Sequence, residues 1–170
     1  MVAVLITGMS GAGKSTALAG LARLGHETVD TDDAAWLTVV DGEPLWREPL
    51  VHALLDRPRR GPLFVLGTVA NQGRFAPRFA AVVLLTAPPA VLLERVRTRV
   101  GNDFGKEPGE RARIAADIRD VEPRLRAGAT HVIDTTRRPD EVVRLLLGIA
   151  ERARQSGLRI SSSLDDGSSG

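Results

Sequence analysis

The residues whose types and spacing are best suited to chemistry stand near the N-terminus, where Gly8-Met-Ser-Gly-Ala-Gly-Lys14-Ser15 fits G-x-x-x-x-G-K-[ST] without a mismatch. Glycines at 8, 11 and 13 bring no side chain and let successive N–H groups turn inward around phosphate oxygens at a helix N-terminus. In such a loop Lys14 reaches the β and γ phosphates, and the Ser15 hydroxyl holds a Mg²⁺ that bridges them. Ser10, Ala12 and Thr16 complete the stretch expected around a nucleoside triphosphate. The loop names the donor of a phosphoryl group and leaves its acceptor open.

A second constellation is Asp30-Thr-Asp-Asp33, inside a stretch from Glu27 to Glu43 that holds six acids and no Arg or Lys. At the carboxyl end of a parallel strand these carboxylates face the ligand. Asp32 is then a base or orienter for a substrate hydroxyl, and Asp30 can hold Mg²⁺ through water. Capping competes, because Asp32 or Asp33 ahead of Ala-Ala-Trp-Leu is also a good helix N-cap. For an acceptor pocket the candidates are Trp36 as a wall, Arg47 and Arg74 as anion contacts, and Asn71 and Gln72 as hydrogen-bond partners. Each has a plainer alternative. Trp36 and Trp46 at helix positions also read as core, Arg47 lies near Glu43 and Glu48, and the run from Gly67 to Phe75 also reads as a simple connection. The glycine-rich excursion at about residues 100–110, between two Arg-bearing helical runs, reads as a lid. Arg99 and Lys106 are its candidate catalytic cations, with Arg95 and Arg111 competing. Thr136, Arg137 and Pro139 follow the last strand and are placed to touch the base of the nucleotide.

These groups need a scaffold that brings strand ends together, and the chain supplies one. Apolar runs at residues 2–6, 26–29, 63–66, 81–86 and 129–134 read as strands, with helical patterns between them. Asp41-Gly42 is a turn, and residues 44–56 resume a helical pattern. The last helix is expected to end at about Arg154, and the Ser/Gly-rich residues 155–170 to form a disordered tail. One α/β domain over residues 1–154 is the organisation implied by 170 residues. The chain has no cysteine, which removes disulfides and thiolate metal sites. It has no apolar run approaching a membrane span and goes directly from Met1 into a strand, so a cytoplasmic protein without a membrane partner is expected. A net charge of +2, carried by many arginines and only two lysines, does not call for nucleic acid as a partner. The oligomeric state stays open.

The loop GMSGAGKS, VDTDD after the second strand, VVLLTAP before LLERVRTR and IDTTRRPDEV near the end together resemble the small-molecule kinases of the P-loop superfamily, over residues 1–154. The shikimate kinase-like group is the nearest pattern, with Asp30-Thr-Asp32 similar to its D-x-D and Trp46-Arg47 similar to its aromatic-Arg pair. The resemblance implies a three-layer α/β fold with a five-stranded parallel sheet of order 2-3-1-4-5, helices on both faces and a lid. It implies ATP and Mg²⁺ as cofactors, Asp30 supporting the metal, Asp32 on the reacting hydroxyl and Arg47 on a substrate carboxylate. The sequence departs from that group where GTVANQGRF replaces Gly-Gly-Gly, where Asn102-Asp-Phe-Gly105 replaces R-P-L-L, and where Val121-Glu-Pro-Arg-Leu125 lacks the substrate arginine. Two other functions remain in view. A nucleoside monophosphate kinase, similar to adenylate kinase, would use Arg47, Arg74 and Arg78, and a regulatory or RNA-related P-loop ATPase would have no small-molecule acceptor.

Overall fold

The computed structural model describes residues 1–100 and 105–165, with side chains described up to residue 157. Its centre is β1, Ala3–Thr7, in which all five residues are buried. Such a strand has no solvent face, as expected for the middle of a parallel sheet covered on both sides. The chain continues through α1 (Lys14–Arg23), β2 (Glu27–Asp30), β3 (Leu37–Val40), β4 (Glu43–Trp46), α2 (Glu48–Asp56) and β5 (Leu63–Leu66). It is completed by β6 (Ala81–Thr86), α3 (Pro89–Thr98), α4 (Pro108–Asp120), α5 (Glu122–Gly128), β7 (His131–Asp134) and α6 (Pro139–Asp165).

Five strands form one sheet in the order β2-β5-β1-β6-β7, and every pairing in it is parallel. Counting only these strands along the chain, the order is the 2-3-1-4-5 that the resemblance implies. Alternate residues of β1 serve opposite faces. Val4 and Ile6 pack with Leu18 and Leu21 of α1 and with Val142, Val143 and Leu146 of α6. Ala3 and Leu5 pack with Val51, Leu54 and Leu55 of α2, and with Trp46, Phe75 and Phe79. The result is three layers, and every parallel strand ends on the same edge, which is where the loops carrying the chemistry lie.

The segment between β2 and α2 differs from the expectation. One turn of 3₁₀ helix at Ala34–Trp36 replaces a helix, and Asp33, not Asp32, caps it, accepting from the Ala35 N–H at 2.8 Å. The chain then forms an antiparallel hairpin of β3 and β4, in which Val39 faces Pro44. Asp41 and Gly42 both have positive φ, 53° and 80°, the geometry of a type I′ turn. The β-branched Thr38-Val-Val40 ahead of Asp-Gly carried this signal, and Pro44 is compatible with an edge strand. The helix expected over residues 44–56 therefore starts only at Glu48.

Two further differences lie toward the C-terminus. The two helical runs expected after β6 are present, but the second is divided into α4 and α5, and Glu107 with Glu110 forms a capping box that starts α4. Residues 101–104 of the expected lid lie outside the described residues. The last helix continues to Asp165, past the end expected at Arg154, with Glu151 holding Arg154 and Gln155 one turn on. Residues 166–170 of the expected tail lie outside the described residues. No helix among the described residues is long and apolar enough to cross a membrane.

Candidate functional site

The loop between β1 and α1 takes its shape from glycine. Gly11 and Gly13 have φ of 81° and 88°, and a Cβ on Gly11 would stand 2.5 Å from the Leu92 carbonyl oxygen of α3. No other residue fits that position. Gly13 is the cap of α1, so the helix opens at Lys14 with Ser15 and Thr16 exposed on its first turn. Hydroxyls and unpaired N–H groups thus gather where the helix dipole favours an anion.

Lys14 folds back over the loop, and its Nζ donates to the carbonyl oxygens of Gly8 at 2.6 Å and Met9 at 3.2 Å. Removal from water pulls its pKa below the ordinary lysine value, and nearby Arg99 acts in the same direction. Asp32 and Asp30 oppose the shift. Across from the lysine, Asp32 accepts from the Thr68 N–H at 3.3 Å. Although Asp32 keeps an exposed edge, the protein packed around its carboxylate pushes its pKa up, with Asp30 adding to the shift and Lys14 countering it. The site therefore holds a cation that releases its proton more readily than usual and a carboxylate that binds one more readily. Such a pair suits phosphate binding beside proton acceptance.

Asp30 lies at the exposed end of β2 and accepts from the Asp32 N–H at 2.9 Å, which fixes the turn between the two carboxylates. Ser15 and Asp30 supply hydroxyl and carboxylate oxygens, the hard donors that Mg²⁺ takes together with waters and substrate phosphates. Among the described residues no group of three or more His, Cys, Asp or Glu forms a self-sufficient metal cage.

On the other side of the loop a cleft of about 220 Å³ is lined by Gly13, Thr16, Arg95, Thr135, Arg137 and Pro139. The expected base loop, Thr136 to Pro139, lies here, and Thr136 is held by Asp134 through both its N–H and its hydroxyl. Arg95, weighed among the lid cations, is anchored to the protein. It donates to the Gly11 carbonyl at 3.2 Å, the Thr135 hydroxyl at 2.9 Å and the Thr135 carbonyl at 2.6 Å, tying the phosphate loop to the end of β7. Arg99, at the end of α3, is close enough to Lys14 for its charge to be felt there. Lys106 is exposed, with its backbone carbonyl accepting from Arg111.

The acceptor candidates separate into two groups. Gln72 joins the site, its Oε1 accepting from the Thr7 hydroxyl at 3.3 Å and the Val69 N–H at 3.2 Å. Asn71 is engaged by the protein itself. It is buried and clasps the backbone of Trp46, accepting from the Trp46 N–H at 2.9 Å and donating to its carbonyl at 3.1 Å. Trp46 is itself core, with its indole N–H on the Thr31 hydroxyl at 2.8 Å. A side chain on Gly67 would meet that indole, with a Cβ only 2.7 Å from Cζ2. Trp36 is half-buried, Arg47 is exposed beside the Ala35 carbonyl at 3.5 Å, and Arg74 pairs with Glu48 at 2.8 Å. Thr7 and Thr68 were missed by the sequence reading. Their only signal was position, since each follows the buried run of a strand at its carboxyl end.

Residues 4–116 match the AAA domain family. A nucleotide-binding protein of Granulibacter bethesdensis is 35% identical over 170 residues, covering 88% of this chain and 45% of that protein. One of Dinoroseobacter shibae is 35% identical over 136 residues, covering 78% of this chain and 45% of that protein. The chain thus spans about 45% of the length of these curated relatives. Among solved structures, shikimate kinase from Acinetobacter baumannii in complex with shikimate superposes with a TM-score of 0.59 at 19% identity, over 96% of this chain and 94% of that one. A gluconokinase from Sinorhizobium meliloti 1021 superposes with a TM-score of 0.56 at 21% identity, over 93% of this chain and 97% of that one. These likenesses establish a P-loop kinase fold, and with the family match over residues 4–116 the chain belongs to the AAA domain family.

Proposed function

We propose that this protein is an ATP-dependent kinase that moves the γ-phosphoryl group to a hydroxyl of a small-molecule acceptor. The observation that carries the reading is the juxtaposition of Asp32, a carboxylate with a raised pKa, with Lys14 of the phosphate loop. A carboxylate beside the phosphate loop supplies the proton acceptor that transfer to a hydroxyl calls for. In the proposed reaction the acceptor oxygen attacks the γ-phosphorus, the bond to the bridging oxygen of ADP breaks, and Asp32 orients the hydroxyl and takes its proton. The loop N–H groups and Lys14 hold the phosphates and their developing charge. Arg99 and Lys106 are the proposed lid cations, and Arg137 and Pro139 the proposed walls for the base. Trp36, Arg47, Gln72 and Arg74 are proposed to border the acceptor. Ser15 and Asp30 would hold Mg²⁺, which neutralises phosphate charge when bound.

The phosphorylated acceptor of a nucleoside monophosphate kinase would need cations released from other partners, and Arg74 and Arg78 pair with Glu48 and Asp56. A second reading, a regulatory P-loop ATPase without a small-molecule acceptor, draws on the relatives named only as nucleotide-binding proteins and more than twice as long as the matched region. One experiment separates these readings. The protein with ATP and Mg²⁺ is given a panel of hydroxylated metabolites and nucleoside monophosphates, and products are read by mass spectrometry. A phosphorylated metabolite supports the kinase reading, a nucleoside diphosphate made from a monophosphate replaces it with the nucleotide kinase, and phosphate release alone replaces it with the ATPase.

A further inference from the structure

We infer that Thr68 is the positioning residue of the phosphate site, setting Lys14 through the Gly8 peptide and Asp32 through its own backbone. The inference rests on the nucleotide-binding reading of the loop and is independent of the acceptor. Thr68 lies just past the end of β5, next to β1 in the sheet, so its side chain reaches the first residue of the loop. Its hydroxyl engages both sides of Gly8. It donates to the Gly8 carbonyl at 3.0 Å and accepts from the Gly8 N–H at 3.3 Å. The same Gly8 carbonyl accepts from Lys14 Nζ at 2.6 Å, so one oxygen is shared by the lysine and the threonine.

The Thr68 N–H meanwhile donates to Asp32, and Thr7 stands behind the hydroxyl with its Oγ1 3.1 Å away. Thr7 is fully buried and donates onward to Gln72, which is fixed in turn by the Val69 N–H. A threonine is branched at Cβ and has few rotamers to lose, so it makes a stiff connector. The cation that meets the triphosphate and the carboxylate beside it are therefore held from one residue, on a strand other than the one that carries the loop. An ammonium has three donors, two of which are on loop carbonyls here, so its aim at a phosphate depends on where those carbonyls stand.

The role of the hydroxyl distinguishes phosphates that reach Lys14 from those that do not. The test is calorimetric binding of ATP with Mg²⁺, and separately of AMP, to the full chain and to Thr68→Val, Thr68→Ser and Lys14→Ala variants. Thr68→Val keeps size and backbone and removes the hydroxyl. It is expected to weaken ATP about tenfold, the loss of roughly one hydrogen bond. AMP affinity is expected to change less than about twofold, and Thr68→Ser to restore ATP binding to within about twofold of the original. In a Lys14→Ala background the valine is expected to add almost nothing, because both act through one contact. Equal loss of ATP and AMP would reduce Thr68 to a structural support. Undiminished ATP binding by Thr68→Val, or additivity with Lys14→Ala, would also overturn the inference. If the unaltered chain binds no triphosphate, the nucleotide reading fails first, and this one with it. Should Thr68→Val not fold, the original protein still decides the matter by NMR. The Gly8 and Thr68 amide signals are expected to shift together on adding ATP, and independent movement would refute the connection.

Discussion

Lys14 and Asp32 are opposed in charge, and the protein packed around them shifts each toward its neutral form. Lys14→Ala is expected to lower ATP affinity or turnover by about a hundredfold, the scale on which a preorganised donor acts at a reacting phosphate. Asp32→Asn keeps shape and removes the proton acceptor. It should abolish phosphoryl transfer while ATP affinity, measured by calorimetry, changes less than about threefold. Survival of transfer would reduce Asp32 to a structural turn residue. The same substitution has a stability consequence. A carboxyl that binds its proton more tightly when folded than when unfolded loses stability as pH rises from the ordinary aspartate range through its raised folded value. Asp32→Asn is therefore expected to flatten that limb and to raise the melting temperature near neutral pH, checked by thermal melts in a pH series. Lys14 has the opposite sign, since its lowered pKa costs stability that returns as pH rises toward the ordinary lysine value.

At the scale of elements, the hairpin of β3 and β4 departs furthest from the succession of strands and helices expected of the chain. It is anchored by Trp46 in the core and by Asn71, which satisfies the Trp46 backbone on both sides. Asn71→Ala should leave a buried N–H and C=O without a partner and cost about 3 kcal/mol in chemical denaturation. ATP affinity should be retained, which separates this anchoring role from ligand contact. At the hairpin's tip Gly42 sits at a φ of 80°, so Gly42→Ala should cost about 1 kcal/mol by the same measurement.

At the scale of the whole molecule, the site exists because the parallel sheet delivers the ends of β1, β2, β5 and β7 to one edge. That edge is only as firm as the layer beneath it, where α1 lies against α6. Gly20 of α1 makes the close approach, and an added Cβ would stand 2.6 Å from Val143 Cγ2. Alanine is the better helix former by about 1 kcal/mol, yet displacing a stiff, buried valine costs about 1–3 kcal/mol. Gly20→Ala is thus expected to destabilise the fold by about 1 kcal/mol net in a denaturant titration. A gain in stability would show that the two helices separate freely.

The sequence by itself determined most of what is local along the chain, the hairpin of β3 and β4 and the reach of the last helix excepted. The match at residues 8–15, the buried strand runs and the type of each parallel element could be read because backbone demands and burial leave their marks on adjacent residues. The sheet order was legible as well, through resemblance to kinases with the same succession of motifs. Tertiary structure alone decided which polar groups face a ligand and which hold the protein together. Asn71 and Gln72 are neighbours in an apparently uniform polar loop, yet one clasps Trp46 and the other joins Thr7 beside the phosphate loop. Arg95, which competed for a place among the lid cations, is fixed to Gly11 and Thr135. Thr68 was passed over, since its connection to Gly8 spans sixty residues of chain. A hydrogen bond between distant strands leaves no spacing pattern behind, so such pairings become visible only once the sheet has set the strands side by side.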